Sequence, residues 1–179
     1  AQPYIRAGEI YEVRSRLSSV TELELRTAGE VYPEWVLERY LQLPDTTTER
    51  TRALAEQITS GLDNPYDKAL AVTSWLRSNI QYLEVINPPP TDRDVLDWFL
   101  FDYRKGFCNY YATAEVILLR LAGVPARWAV GYAQGERQAL PASPGRDEES
   151  VFGEPERALY LVREIDAHSW PEVYFPGIG

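Results

Sequence analysis

Residues 106–132, GFCNYYATAEVILLRLAGVPARWAVGY, hold the chain's single cysteine at the start of a helical pattern. From Tyr111 to Ala122 the polar members after Thr113 are Glu115 and Arg120, so the pattern is apolar nearly all round and predicts a central, buried helix. Gly123 and Pro125 stop it, and RWAVGY follows as an alternating strand. A cysteine at the head of such a helix sits among backbone N–H groups that have no partner within the helix, at the positive end of its dipole. That environment favours an anionic sulfur nucleophile. A lone cysteine is also commonly a small buried hydrophobe, so Cys108 alone decides nothing.

The only histidine, His168, lies sixty residues later in DAHSWPEVYFPG, a stretch that reads as a strand. One Cys and one His form the minimal inventory of a nucleophile and its base. Phe107, Asn109 and Tyr110 flank the cysteine and become cleft candidates. The N–H of Cys108 or Asn109 is the natural oxyanion donor, because it points from a helix N-terminus toward developing charge. By period-two counting Asp166 and Glu172 fall on the strand face of His168. Both are candidates to orient the imidazole, although positions two and four residues along the same strand are poor for a direct bond. Ser169 is expected to turn away from the cleft and Trp170 to enter the core.

These two stretches together are similar to the bacterial transglutaminase-like superfamily, in the form carried by multi-spanning bacterial membrane proteins. LAEQITSGLDNPYDKALAVTSWLRSNIQY and DVLDWFLF extend the resemblance over roughly residues 50 to 179. It implies an α+β, papain-like fold: N-terminal helices, a central helix bearing Cys108, and an antiparallel sheet presenting His168. It implies acyl transfer through a thioester on protein or peptide amides, without a cofactor. The family's third catalytic member is an Asp on the strand after the histidine strand, in a W-x-x-F-D-P-T-like motif that would begin just past Gly179. The same dyad also serves a cysteine peptidase or amidase acting on peptides or cell-wall stems, and the fold can persist as a non-catalytic binding module.

Composition narrows the field further. The chain has 179 residues, enough for an ample core, with 45% hydrophobic residues and five tryptophans. The net charge of −9 and the lack of a basic stripe disfavour a nucleic-acid partner. One Cys and one His cannot supply the usual zinc ligands, and no G-x-S-x-G elbow is present for a serine hydrolase. One cysteine allows no internal disulfide, and no apolar run has the length of a membrane span. The chain does not begin with Met, which suggests a fragment or a processed form. The resemblance places it outside the cytoplasmic membrane, its parent anchored by spans elsewhere.

Two parts are expected: a β or irregular element over residues 1–45 and a catalytic core over 46–179. EIYEVRSRLS and TELELRTA alternate like strands, and YPEWVLERYLQLP is irregular or briefly helical. Thr46 with Glu49 matches a capping box opening a helix whose inner face is Leu54, Ala55, Ile58 and Leu62. Asn64 caps a second helix, with Pro65 at its first position and Ala69, Val72, Leu76 and Ile80 inward. After the NPPPT break, Thr91 is expected to cap a short helix with Val95, Leu96, Phe99 and Leu100 inward. Residues 134–157 read as a long loop beside the cleft.

Overall fold

The structure is a computed structural model that describes residues 8–10, 19–139 and 158–179. Its centre is helix α6 (Cys108–Leu121), which buries Ala112, Ala114 and Val116 to Leu119. Helices α3 (Glu49–Thr59) and α4 (Pro65–Asn79) cover one side of it with Leu54, Ala55, Val72 and Leu76. Strands β3 (Ala126–Tyr132) and β6 (Ala167–Val173) pair antiparallel and pack on the other side. Each fully buried Leu or Val stabilises the fold by about 1.5–3 kcal/mol relative to exposure, so this contiguous cluster carries most of the hydrophobic term.

The helix starts are set by capping. Asn64 Oδ1 accepts from Asp67 N–H at 2.9 Å, as the sequence predicts for α4. Helix α3 is capped by Thr48 rather than Thr46: Thr48 Oγ1 accepts from Thr51 N–H at 3.1 Å, and Glu49 is already helical. The reason is tertiary. The hydroxyls of Thr48 and buried Thr51 both donate to Asp97 Oδ1, at 2.6 and 3.0 Å, which ties the head of α3 to helix α5 (Val95–Asp97). Asp94, not Thr91, caps α5, accepting from Asp97 N–H at 2.9 Å. Val95 stays 39% exposed, whereas Phe99 and Leu100 are fully buried.

The N-terminal part departs from the strand reading. TELELRTA forms helix α1 (Glu22–Thr27), closed by a capping box between Thr21 and Glu24. Alternation of Leu and Glu over four residues fits either period, and the capping box together with the Arg26–Asp67 ion pair (3.0 Å) onto α4 decides for helix. Most of EIYEVRSRLS, like residues 140–157 of the long loop, lies outside the described residues. YPEWVLERYLQLP supplies helix α2 (Glu34–Tyr40), which buries Val36.

Between α5 and α6 the chain makes a π-helical turn, Trp98–Tyr103, closed by Arg104 N–H donating to Phe99 O at 3.1 Å with Arg104 at φ 55°. Strand β2 (Lys105–Gly106) then pairs in parallel with β1 (Gln81–Tyr82), the extension of α4. Gln81 N–H donates to Arg104 O at 2.9 Å and Leu83 N–H to Gly106 O at 2.8 Å. A Cβ on Gly106 would meet the buried Phe99 ring at 2.8 Å and Tyr110 Cβ at 3.0 Å, so the residue two before Cys108 must be glycine. Beyond β3, strands β4 (Glu136–Gln138) and β5 (Leu159–Leu161) form a separate antiparallel pair.

Substituting Gly106→Ala should lower stability by about 1–3 kcal/mol through overpacking against Phe99. Urea unfolding would read this as a lower midpoint at constant slope; an unchanged midpoint would mean that the loop yields freely.

Candidate active site

Cys108 is the first residue of α6 and is half-buried. Its N-cap, Phe107, is extended (φ −113°, ψ −174°) and gives no side-chain cap. Bonding within the helix begins with Tyr110 and Tyr111 N–H donating to Phe107 O at 3.0 and 3.2 Å. The N–H groups of Cys108 and Asn109 therefore have no carbonyl partner within the helix.

His168 reaches the same place from β6. Ala133 N–H donates to Asp166 O at 2.8 Å and Tyr174 N–H to Pro125 O at 3.0 Å, so even-numbered residues of β6 exchange bonds with β3. His168, opposite Gly131, is held by that ladder. Pro171, with no N–H, falls at an odd-numbered position whose backbone faces away from β3 and does not interrupt the ladder. Gly131 leaves room for Trp170, whose ring would lie 2.8 Å from a Cβ there.

Cys108 and His168 together line two concavities. One, about 420 Å³, runs between α4, α6 and β6 past Tyr111, Glu115 and Trp170. The other, about 340 Å³, includes Glu84, Phe107 and Asp166. A larger hollow of about 830 Å³ lies beside Phe99, Phe107, Asn109 and Tyr110, and Cys108 does not line it. Of the three flanking candidates, Phe107 thus borders a Cys–His concavity, whereas Asn109 and Tyr110 face the larger hollow.

The Asn109 side chain nevertheless touches the cysteine. Its Oδ1 accepts from Ser169 Oγ at 3.0 Å and stands 3.5 Å from Cys108 Sγ as a second acceptor contact. Ser169 is 3% exposed and turned toward the head of α6, opposite to the sequence reading. Strand parity gives faces, but the twist of a two-stranded ribbon over a helix decides which face meets it. Trp170 is half-buried in the wall of the first concavity rather than in the core. Asp166 Oδ2 accepts from Arg163 N–H at 2.7 Å. Glu172 is held by Arg127 at 2.6 Å and by Trp170 Nε1 at 3.2 Å, and it lines neither concavity shared by Cys108 and His168.

Two residues that line the first concavity carry no local sequence signal. Tyr82, in β1, brings its hydroxyl up to both the backbone N–H and the sulfur of Cys108; burial and the neighbouring sulfur's charge push its phenol above the ordinary value. Glu115, two turns below Cys108, accepts from the Thr73 hydroxyl. Burial raises its carboxyl above the usual range, offset in part by that hydrogen bond and by Arg77. Among the described residues no group of three His, Cys, Asp or Glu side chains is placed to hold a metal, and no helix is long and apolar enough to cross a membrane.

Comparison with known proteins adds the following. The model of the family described as the transglutaminase-like superfamily matches residues 52–179. The chain is 37% identical over 142 residues to a Pseudomonas aeruginosa protein named protein-glutamine gamma-glutamyltransferase, covering 79% of this chain and 19% of that one. It is 39% identical over 166 residues to YebA of Bacillus subtilis, covering 92% of this chain and 21% of that protein. It therefore spans about one fifth of the length of these relatives. The crystal structure of the periplasmic domain of TgpA from Pseudomonas aeruginosa superposes with a TM-score of 0.63 at 34% identity, over 84% of this chain and 46% of that one.

The raised Glu115 carboxyl has a stability consequence. Its protonated form stabilises the fold fully below the unfolded value of about 4.3, and that contribution is lost as pH rises through the higher folded value. From about pH 4 upward, wild type should lose stability relative to Glu115→Gln until a plateau is reached. Thermal unfolding of both proteins across pH checks this; parallel curves would contradict it.

Proposed function

The chain belongs to the transglutaminase-like superfamily, and we propose that it carries out thiol acyl transfer on protein or peptide amides, with Cys108 as nucleophile and His168 as proton carrier. The observation that carries this reading is the convergence of the two side chains. A cysteine at the open head of a buried helix shares two concavities with the chain's only histidine.

In the proposed reaction the Cys108 sulfur attacks the amide carbonyl, and the carbonyl π pair moves onto oxygen near the Cys108 N–H. Collapse breaks the C–N bond, His168 passes its proton to the departing nitrogen, and a thioester remains. An incoming amine yields an isopeptide and restores the sulfur. Water yields the acid, and the half-buried position of Cys108 leaves that hydrolytic, amidase-like route open as the second reading. Of the two carboxylate candidates, Asp166, in the short helical turn just before β6, is the better placed to orient His168, because it lines a concavity with His168 whereas Glu172 is committed to Arg127 and Trp170. A glutamine side chain as acyl donor is supported by the name of the Pseudomonas aeruginosa relative. An extracytoplasmic site of action is supported by the periplasmic origin of the TgpA domain. We place the catalytic unit at residues 46–179, with the described helices of residues 19–45 packed on it.

The test is incorporation of a fluorescent primary amine into a glutamine-bearing protein, with ammonia release followed in parallel. Cys108→Ala should abolish both signals while changing stability by about 1 kcal/mol or less. His168→Ala should lower them by about 10²–10⁴-fold. Ammonia release without amine incorporation would select the hydrolytic route. Activity surviving in Cys108→Ala would sink the proposal, and inertness of wild type toward every amide offered would favour a binding module.

A further inference from the structure

We propose that Tyr82 is a catalytic residue of this site: its hydroxyl is the second donor of the oxyanion hole, closing with the Cys108 backbone N–H around the carbonyl oxygen of the acyl donor. The inference rests on the thiol acyl-transfer reading above and adds a residue to it. Three residues line both concavities at the head of α6: Cys108, His168 and Tyr82. Two of them are the proposed nucleophile and proton carrier. The third stands at the junction of the same two spaces.

Its placement is built in. Tyr82 pairs with Gly106, two residues before the cysteine. The bonds from Gln81 N–H to Arg104 O and from Leu83 N–H to Gly106 O hold the backbone on either side of it. Its ring lies 5.8 Å from that of Tyr111, whose hydroxyl donates to Ile80 O at 2.5 Å. Strand pairing and ring packing therefore aim the phenol at the head of α6, where it lies against both the N–H and the sulfur of Cys108.

When the sulfur bonds to a carbonyl carbon, the oxygen must come to rest beside the Cys108 N–H, where the phenol already stands. As the S–C bond forms and the π pair moves onto oxygen, the Tyr82 O–H turns from the sulfur, which loses its charge, to the oxygen, which gains it. Collapse re-forms the C=O bond and breaks the C–N bond; the proton on the leaving nitrogen comes from His168, and Tyr82 keeps its own. The role needs a phenol that stays protonated, and burial beside the sulfur holds Tyr82 above its ordinary value. Asn109 has the wrong polarity for this task, since it presents Oδ1 to the sulfur.

The experiment compares two reactions of Cys108 in wild type and Tyr82→Phe, with Cys108→Ala as the blank. Acylation by p-nitrophenyl acetate passes through an oxyanion; alkylation by iodoacetamide does not. Loss of one oxyanion donor should slow acylation by about 10²-fold and leave alkylation within about twofold. A parallel fall in both rates would mean that Tyr82 acts on the sulfur instead, and would overturn the assignment. Unchanged acylation would overturn it too, as would faster acylation, which would make the hydroxyl an obstruction. The wild-type arm tests the underlying reading separately: alkylation without acylation above the blank would remove acyl transfer itself, and Tyr82's role with it.

Discussion

Burial of the C-terminal half of α6, from Val116 to Leu119, is the constraint on which the rest of the molecule depends. A helix carrying Val116, Ile117, Leu118 and Leu119 in succession has no face to offer solvent, so α3, α4 and the β3–β6 ribbon must enclose it. Enclosure ends where the helix begins, because its first N–H groups have no carbonyl partners within the helix and must face polar groups or solvent. The same balance that makes α6 the core thus leaves Cys108 half-buried at an electropositive opening.

The elements that close around this opening are held by polar contacts of specific reach. Asp97 gathers the hydroxyls of Thr48 and Thr51, so the head of α3 cannot slide relative to the turn that feeds α6. The parallel pairing of Gln81–Tyr82 with Lys105–Gly106 clamps the end of α4 to the approach to Cys108. Ser169, bonded to Asn109, fixes β6 against the helix head on the opposite side. A buried hydroxyl or carboxylate without such a partner would cost about 1–3 kcal/mol, which is why these contacts specify position rather than merely add stability. The resulting transglutaminase-like architecture brings side chains from β1, α6 and β6 to one point.

Glu115 illustrates the electrostatic side of this design. A carboxyl between α4 and α6 is placed where desolvation outweighs the Thr73 hydrogen bond and the charge of Arg77. The first concavity consequently has an acidic group part-way along its wall and a sulfur and imidazole at its end. A protein with a net charge of −9 keeps most of its carboxylates at the surface; this one faces the site.

The core helix, the cap at Asn64 and the stop at Gly123–Pro125 were determined by the sequence alone. Each is encoded in neighbours a few residues apart, through periodicity or a side chain capping its own backbone. The cap at Thr48 instead of Thr46, the helix at Glu22–Thr27 instead of a strand, and the inward turn of Ser169 were not legible in that way. They depend on Asp97, Asp67 and Asn109, which lie 49, 41 or more residues away along the chain. Tyr82 is the clearest case. In its own stretch it is one more aromatic residue after a helix, and only pairing with Gly106 sets it against Cys108. Local hydrogen bonds choose elements, but the direction of a side chain across an interface is chosen by what must be buried between the elements.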